Sequence, residues 1–352
     1  MKKFKFSIVM LVFVLVLAAC STGNDTTGST ESNSASENTS TTTTTETTPA
    51  ATEPAQPTTV EITDAHGKVT VPVNPENVVA LDNRTFETLA NWEIELAAVP
   101  KGVMPADSPY VADEGVQDIG NHSEPNLEIL AAANPELVIV GQRFADYYED
   151  IKKLVPNAVV IDLNFDVSAE SGAPGDNLVN GLKDATLKLG QIFDKNAEAE
   201  QLNAEFDQAI ADAKAAYQDT ETVMSVIVSG GNIGFSAPVS GRVWGPMYEI
   251  FGWTSSLDID NTSSDHQGDE ISVEAIAQSN PDWIFVLDRD AAINSTDPKV
   301  PAQDVIDNAP ALQNTTAVTE GNIVYAPNDT YTNESIQTYI ELFNNLANKL
   351  AE

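Results

Sequence analysis

The sequence predicts an α/β fold in which two similar lobes, each with a parallel-type sheet, are joined by a single long helix. Short apolar runs alternate with helical stretches along most of the chain, which is typical of this class. A segment of the first half recurs in the second half. Residues 195–217 contain neither proline nor glycine, which favours one unbroken helix. A chain of 352 residues is long enough for two lobes with a core each.

Residues 1–19 have the pattern of an export signal. Three lysines within the first five residues precede an apolar run over 8–19, which is shorter than the roughly 20 residues of a membrane-spanning helix. Cys20 is the only cysteine and follows Leu17-Ala18-Ala19. This arrangement resembles a bacterial lipoprotein signal, in which the cysteine is lipidated. The alternative is a plain secretory signal with an incidental cysteine.

The composition of residues 20–59 predicts a disordered tether. Serine and threonine make up 21 of the 39 residues in 21–59, and large apolar side chains are almost absent. Such a composition cannot offset the entropy lost on ordering. A flexible chain of this length has a root-mean-square span on the order of 35 Å.

The N-terminal lobe is predicted over 60–175. Alternating residues in 60–63 and 68–71, on either side of a turn at 64–67, indicate a hairpin. The runs 78–81 and 137–140 predict buried parallel strands, and 86–92 has helical spacing. The connecting segment, 176–218, contains two amphipathic stretches, 176–193 and 195–217.

The C-terminal lobe is predicted over 219–352. Short buried strands are expected at 223–228, 283–287 and 323–325, with helices at 245–251 and 334–350. Residues 126–143 align without a gap to 272–289, at a constant offset of 146 (128 to 274, 143 to 289). Each copy has a capping residue, a short helix, an Asn-Pro stop, an apolar strand and an arginine. This repeat predicts two lobes of the same design.

The four arginines of the chain all follow predicted strands: Arg84, Arg143, Arg242 and Arg289. In open parallel sheets, ligands bind outside the carboxyl ends of strands, so facing lobes would bring these side chains to one cleft. A planar guanidinium can grip a carboxylate or a deprotonated catechol with two hydrogen bonds. The alternative is ordinary ion pairing, for example of Arg289 with Asp288 and Asp290.

The composition disfavours several classes of function. A formal charge of −36 argues against nucleic acid or anionic lipid as the main partner. One cysteine excludes an internal disulfide framework, and His66, His122 and His266 are too far apart in sequence to indicate a His-rich metal site.

Three rival classes find little support. Motifs of exported hydrolases, zinc proteases and phosphate-binding loops are missing from the sequence. A surface adhesin would not need arginines placed after strands. A zinc or manganese importer lipoprotein would need several histidine and acidic ligands, whereas only His266 is suitably placed.

Several segments together resemble one family, the substrate-binding lipoproteins of ABC importers for iron-siderophore complexes and cobalamin. They are Pro75–Leu81, Pro125–Glu128, both Asn-Pro segments and Ile271–Glu274, and the likeness covers 60–352. The resemblance implies a class III periplasmic-binding-protein-like fold and a monomeric, non-enzymatic protein without an intrinsic cofactor. It also implies a lipid anchor on Cys20 at the outer face of the cytoplasmic membrane, in a Gram-positive-type envelope, with an ABC permease and its ATPase as partners.

Within this family the sequence is most similar to binders of ferric catecholate (petrobactin-type) or mixed citrate-catecholate siderophores. Arg143, Arg242 and Arg289 match the three arginines that such proteins present to an anionic complex, and Arg84 and Trp244 are further ligand-binding candidates. Haem, cobalamin and hydroxamate siderophores are the alternative ligands.

The resemblance also implies roles for four other residues. His266 and Tyr331 match a histidine and a tyrosine that bind Fe³⁺ directly when the siderophore fills only four positions; otherwise they are a loop histidine and a packing tyrosine. Glu128 and Glu274 match glutamates that dock on the permease. The helix dipole alone would also favour a glutamate in a first turn.

Overall fold

The fold begins with an antiparallel hairpin, in a computed structural model that describes residues 58–293 and 299–352. Strand β1 (Thr59–Asp64) pairs with β2 (Gly67–Pro72) from Thr59↔Pro72 to Asp64↔Gly67. Gly67 has a φ of 125°, which favours glycine at this turn. The predicted hairpin is confirmed, although its first strand begins within the last residue of the predicted tether.

A parallel sheet of five strands follows within the described residues, in the order β5-β4-β3-β6-β7. All four residues of β6, an inner strand of this sheet, are buried, because helices cover both faces. The strands are β3 (Val78–Ala80), β4 (Ala98–Val99), β5 (Gln117–Asp118), β6 (Leu137–Val140) and β7 (Val159–Asp162). The helices are α1 (Phe86–Asn91), α2 (Pro109–Ala112), α3 (Leu127–Ala132) and α4 (Tyr148–Leu154). We call this sheet, its helices and the hairpin the N-terminal lobe.

Two antiparallel helices connect this lobe to the second sheet. They are α5 (Pro174–Ile192) and α6 (Asn196–Ala216), which contact each other through Lys183 and Asp207 and through Gly190 and Ala199. Each helix contributes side chains to the cores of both lobes. The predicted long helix is therefore α6, and the connection is a helical pair rather than a single helix.

The second sheet has six strands in the described residues, in the order β11-β9-β8-β12-β13 with β10 beside β8. β8 is parallel to β10 and β12, and β12 to β13, whereas β9 is antiparallel to β8 and β11 to β9. The turn between β8 and β9 places Gly230 and Gly231 at positive φ. This sheet is therefore mixed, where the sequence predicted a parallel type. The strands are β8 (Thr222–Ser229), β9 (Asn232–Phe235), β10 (Thr254–Ser255), β11 (Asp269–Glu270), β12 (Trp283–Asp288) and β13 (Ile323–Tyr325).

The remaining helices cover this sheet and complete what we call the C-terminal lobe. They are α7 (Gly245–Phe251), α8 (Val273–Ser279), α9 (Arg289–Ala292), α10 (Ala302–Asp307), α11 (Thr316–Glu320), α12 (Thr330–Asn333) and α13 (Ile336–Leu350). The helix predicted at 334–350 is thus preceded by a separate short turn of helix. In the described part of the chain, no helix is long and apolar enough to cross a membrane.

The internal repeat has the same structure in both lobes. Asn126 caps α3 by accepting from the Ile129 amide, and Ser272 caps α8 by accepting from the Ala275 amide. The asparagines that follow these two helices, Asn134 and Asn280, have φ values of 47° and 44°. Strand β6 lies between β3 and β7, as β12 lies between β8 and β13. The repeated sequence therefore encodes a repeated helix-strand unit whose strand lies inside each sheet.

Buried hydrogen bonds link the two lobes at the segment between β13 and α13. The side-chain amide of Asn83 donates hydrogen bonds to the backbone carbonyl oxygens of Thr332 and Asn333, at 3.0 Å each. The Ser335 hydroxyl donates to a Glu87 carboxylate oxygen at 2.5 Å. The described residues, 58–293 and 299–352, accordingly fall within one compact unit by their contacts.

Candidate functional site

Three of the predicted arginines meet in one cavity of about 450 Å³ between the lobes. Arg143 follows β6 of the N-terminal lobe, Arg289 follows β12 of the C-terminal lobe, and Arg242 lies between β9 and α7. The same cavity is lined by His266 and Tyr331. The structure therefore brings together five residues that are separated by up to 188 positions in the sequence.

Tyr331 lies at the centre of this cluster. The guanidinium carbons of Arg242, Arg289 and Arg143 lie 4.6, 5.3 and 6.0 Å from the centre of its ring. Cations at this distance are attracted to the face of an aromatic ring. The Tyr331 carbonyl oxygen also accepts a hydrogen bond of 3.0 Å from Arg143 Nη2. One residue thus holds three like-charged groups close together.

A buried carboxylate that the sequence did not single out, Glu334, balances part of this positive charge. Its Oε1 is 2.5 Å from Arg242 Nη2, and its Oε2 is 3.4 Å from Arg84 Nη2. Gln142 donates to Oε2 at 2.9 Å. Burial raises the pKa of Glu334, but Arg242, Arg84 and Arg143 outweigh it and leave the pKa below its ordinary value. Glu334 is therefore ionised at neutral pH.

The arginines keep unused hydrogen-bond donors. The Nε–H groups of Arg84, Arg143, Arg242 and Arg289 are buried and have no partner among the described residues. Burial lowers the pKa of Arg143, and the nearby Arg242 adds to this effect against the opposing attraction of Glu334. A buried donor without an acceptor costs about 1–3 kcal/mol. The cluster is therefore suited to an anion that brings its own acceptor oxygens.

Arg84 lies behind the main cavity. Its guanidinium carbon is 4.1 Å from the centre of the Phe165 ring, and its side chain is 3% exposed. With Arg242 and Glu334 it lines a second cavity of about 350 Å³. Arg84 is therefore placed to support the cluster from one side rather than to line the first cavity.

The prediction that Trp244 contacts a ligand is wrong, because its side chain does not line the cavity. Trp244 is fully buried in the apolar core of the C-terminal lobe, where its ring packs against Trp253 and Phe285. It immediately precedes α7, as the N-cap residue of that helix. Although Trp244 is only two residues from Arg242, its side chain therefore does not line the cavity.

The two histidines at the cavity differ in their surroundings. The His266 side chain is 53% exposed and lies 3.9 Å from Asp265. His122, for which no role was predicted, has a buried Nδ1 without a partner in the described ranges. Burial lowers the pKa of His122, and Arg143 and Arg242 lower it further. His122 is therefore neutral at pH 7.

Comparison with known proteins shows which family this chain belongs to. Residues 78–330 match the family model described as "Periplasmic binding protein". The chain belongs to this family. Its members are binding proteins, which agrees with the expectation of a non-enzymatic role.

Two known relatives and one solved structure show how far the likeness extends. The chain is 28% identical over 334 residues to the petrobactin-binding protein YclQ of Bacillus subtilis, covering 94% of this chain and 93% of YclQ. It is 26% identical over 285 residues to the ferric-anguibactin-binding protein FatB of Vibrio anguillarum, covering 80% of this chain and 84% of FatB. The crystal structure of YclQ has the same fold, with a TM-score of 0.70 at 24% identity over 84% of this chain and 99% of that one.

The two predicted docking glutamates of this periplasmic binding protein lie at equivalent places in its lobes. Glu128 is exposed in the first turn of α3, and Glu274 is exposed in the first turn of α8. Their exposure leaves both carboxylates accessible to a partner. Their assignment to a permease stays a prediction.

Some site residues of this periplasmic binding protein gave no signal in the sequence. Glu334 is one of 53 acidic residues, so nothing marked it. Gln142 directly precedes Arg143 at the end of β6, and that position was the one available clue to its role. Cys20 and the predicted signal peptide lie outside the described residues, as does nearly all of the predicted tether.

Proposed function

We propose that this chain is an extracytoplasmic substrate-binding protein of an ABC importer that captures a ferric siderophore in the cavity between its lobes. The siderophore is a catecholate or a mixed citrate-catecholate. The observation that carries the proposal is the meeting of Arg143, Arg242 and Arg289 over the Tyr331 ring in one cavity. The relatives YclQ and FatB, named for binding petrobactin and ferric anguibactin, support a siderophore as the ligand.

Electrostatics favours such a ligand over a neutral one. A ferric ion wrapped by three doubly deprotonated catechols keeps a formal charge of about −3, and charge-assisted hydrogen bonds to guanidinium are among the strongest in proteins. The cavity of about 450 Å³ is within the range of small-molecule sites. Cobalamin does not require an arginine cluster. Capture of the ferric siderophore makes and breaks no covalent bond in this proposal.

His266 and Tyr331 supply iron ligands when the siderophore fills only four coordination positions. Phenolate oxygen is a hard donor that suits Fe³⁺, and imidazole is an acceptable one. Both residues line the same cavity as the arginines. With a hexadentate siderophore they pack against the ligand without touching the iron.

A titration with a panel of ferric complexes tests this function. We expect a ferric catecholate to bind at micromolar concentration or below and to quench tryptophan emission, whereas haem and cobalamin bind weakly. With a tetradentate complex the iron charge-transfer band shifts, because protein atoms enter the coordination shell. Failure of every catecholate complex to bind at micromolar concentration would overturn the proposal.

The domain organisation in this proposal follows the sequence. Residues 1–19 are the signal peptide, lipidated Cys20 anchors the chain to the cytoplasmic membrane, and 20–59 act as the tether. Lobes over 60–175 and 219–352, connected through 176–218, form the binding body. The monomer delivers its ligand to the permease through Glu128 and Glu274.

Replacing Glu128 and Glu274 with alanine tests the docking role. We expect siderophore affinity to stay within about twofold of the wild type, because both carboxylates are exposed and lie in α3 and α8. Uptake of ⁵⁵Fe-siderophore by cells should fall to background. Normal uptake would mean that the glutamates only favour the first turns of their helices. A Glu149→Ala, Glu320→Ala double variant, which also removes two exposed carboxylates, is the control.

A further inference from the structure

A short segment, Tyr331–Glu334, touches all four arginines of the chain. Arg143 donates to the Tyr331 carbonyl oxygen, and Arg289 lies 5.3 Å from the Tyr331 ring centre. Arg84 and Arg242 both pair with Glu334. Arg84 and Arg143 belong to the N-terminal lobe, whereas Arg242 and Arg289 belong to the C-terminal lobe. The segment is therefore the common support of the cluster.

Within this segment Glu334 is held in an unfavourable backbone conformation. Its φ is 50°, which non-glycine residues seldom adopt, and the residue is 4% exposed. Such strain persists only where surrounding interactions fix it, and it concentrates at functional sites. Here the surrounding interactions are two ion pairs and the hydrogen bond from Gln142. A scaffold residue alone would not need a carboxylate at this place.

We propose that Glu334 sets the charge selectivity of the cavity by reducing the positive charge of the arginine cluster by one and by fixing Arg242. The proposal rests on the proposed function and adds a specificity-determining residue to it. Asp290 is another carboxylate beside the cluster, 3.9 Å from Arg289, and it accepts a hydrogen bond from the Gly230 amide. Glu334 differs because it joins arginines of both lobes.

The charge of Glu334 acts on a ligand in proportion to the charge of that ligand. A charge about 8 Å from a trianion changes its binding by about tenfold even at the dielectric constant of water, while a neutral ligand is unaffected. A purely structural role would instead change the affinity for both ligands alike. The ratio of the two affinities therefore separates the two roles.

Three variants change the cluster charge in a defined way. Glu334→Gln raises it by one, Arg84→Gln lowers it by one, and the double variant leaves it unchanged. The probes are a ferric tris-catecholate of charge −3 and a neutral ferric tris-hydroxamate, measured by calorimetry at two salt concentrations. Glu87→Gln is the matched control, because Glu87 accepts hydrogen bonds from Asn333 of this segment and from the adjacent Ser335, but pairs with no arginine in the described residues.

We expect the affinity ratio, tris-catecholate over tris-hydroxamate, to rise at least about tenfold in Glu334→Gln and to fall in Arg84→Gln. The double variant should return to within about threefold of the wild-type ratio, and Glu87→Gln should not change it. The salt dependence of tris-catecholate binding should steepen in Glu334→Gln. If Glu334→Gln does not fold, the fall in Arg84→Gln and the restored ratio of the double variant test the same claim.

An unchanged ratio in Glu334→Gln, or a ratio that falls, would overturn the proposal. Equal losses for both probes in the single variants would show a structural role only. Wild-type protein that binds neither probe would instead contradict the proposed function. The two failures are therefore distinguishable.

Discussion

Single buried charges dominate the chemistry of the cavity region. Asp82, at the end of β3, is completely enclosed, and its carboxylate accepts a hydrogen bond of 3.2 Å from the Arg84 amide. Burial raises the pKa of Asp82 to about 6, with the opposing attraction of Arg84 too weak to cancel it. A carboxyl group that titrates near neutral pH is thus buried next to Arg84.

This shift makes the stability of the protein depend on pH. A carboxyl whose pKa is higher in the folded than in the unfolded state stabilises the fold fully below pH 4, and the contribution is lost as the pH rises through 6. As the pH rises from 4 to 7.5, we expect the free energy of unfolding of Asp82→Asn to increase relative to that of the wild type, by on the order of 2–3 kcal/mol. Urea unfolding at both pH values measures this.

The exposed Asp146→Asn variant is the control and should show little change. A relative stability of Asp82→Asn that is the same at both pH values would contradict the raised pKa of the enclosed Asp82 carboxyl.

Individual residues were most predictable where a rare type recurred at equivalent places in the chain. Four arginines placed after strands identified the cluster, and the structure brings three of them into one cavity. Glu334 could not be found among so many acidic residues, since its role depends on contacts with residues up to 250 positions away. Trp244 was misplaced because closeness in sequence to Arg242 does not fix the direction of a side chain.

Helices and strands followed the sequence more closely than single residues did. The buried strands β6, β8 and β12 and the glycine-bounded helix α7 begin and end at or within one residue of the predicted positions. Strands of two residues, such as β4 and β5, carry too few side chains for a periodic signal, and their pairing is fixed by neighbouring strands. The antiparallel β9 also depends on the turn before it, at Gly230 and Gly231.

The helical pair α5–α6 makes one close approach that a single substitution tests. A Cβ atom added at Gly190 would lie 2.7 Å from the Ala199 Cβ. Alanine in place of glycine normally stabilises a helix by about 1 kcal/mol, but overpacking costs about 1–3 kcal/mol. We therefore expect Gly190→Ala to lower the free energy of unfolding, as measured by urea denaturation.

The Gly190→Ala, Ala199→Gly double variant moves the methyl group across the interface and is the control for this contact. It should recover part of the loss. A Gly190→Ala variant more stable than the wild type would show that the two helices are not in close contact there.

The two lobes are held together by more than one connection. Both α5 and α6 enter both cores, and the segment before α13 bonds to Asn83, Arg84 and Glu87 of the N-terminal lobe. Such links favour small relative movements of the lobes over a wide opening. The repeat predicted two equivalent lobes, whereas the side-chain links between them needed the structure, because they join residues that no local pattern relates.

The central claim is that guanidinium groups from both lobes bind an anionic iron chelate. Its most direct measurement is the dissociation constant of a ferric tris-catecholate for the Arg143→Gln, Arg242→Gln, Arg289→Gln triple variant. A Lys68→Gln, Lys153→Gln, Lys299→Gln variant loses the same charge at exposed sites and is the control. At about 1.5–3 kcal/mol for each charged hydrogen bond, the arginine variant should bind at least about a thousandfold more weakly, while the lysine variant stays near the wild type. Equal affinity of the arginine variant and the wild type would contradict the account.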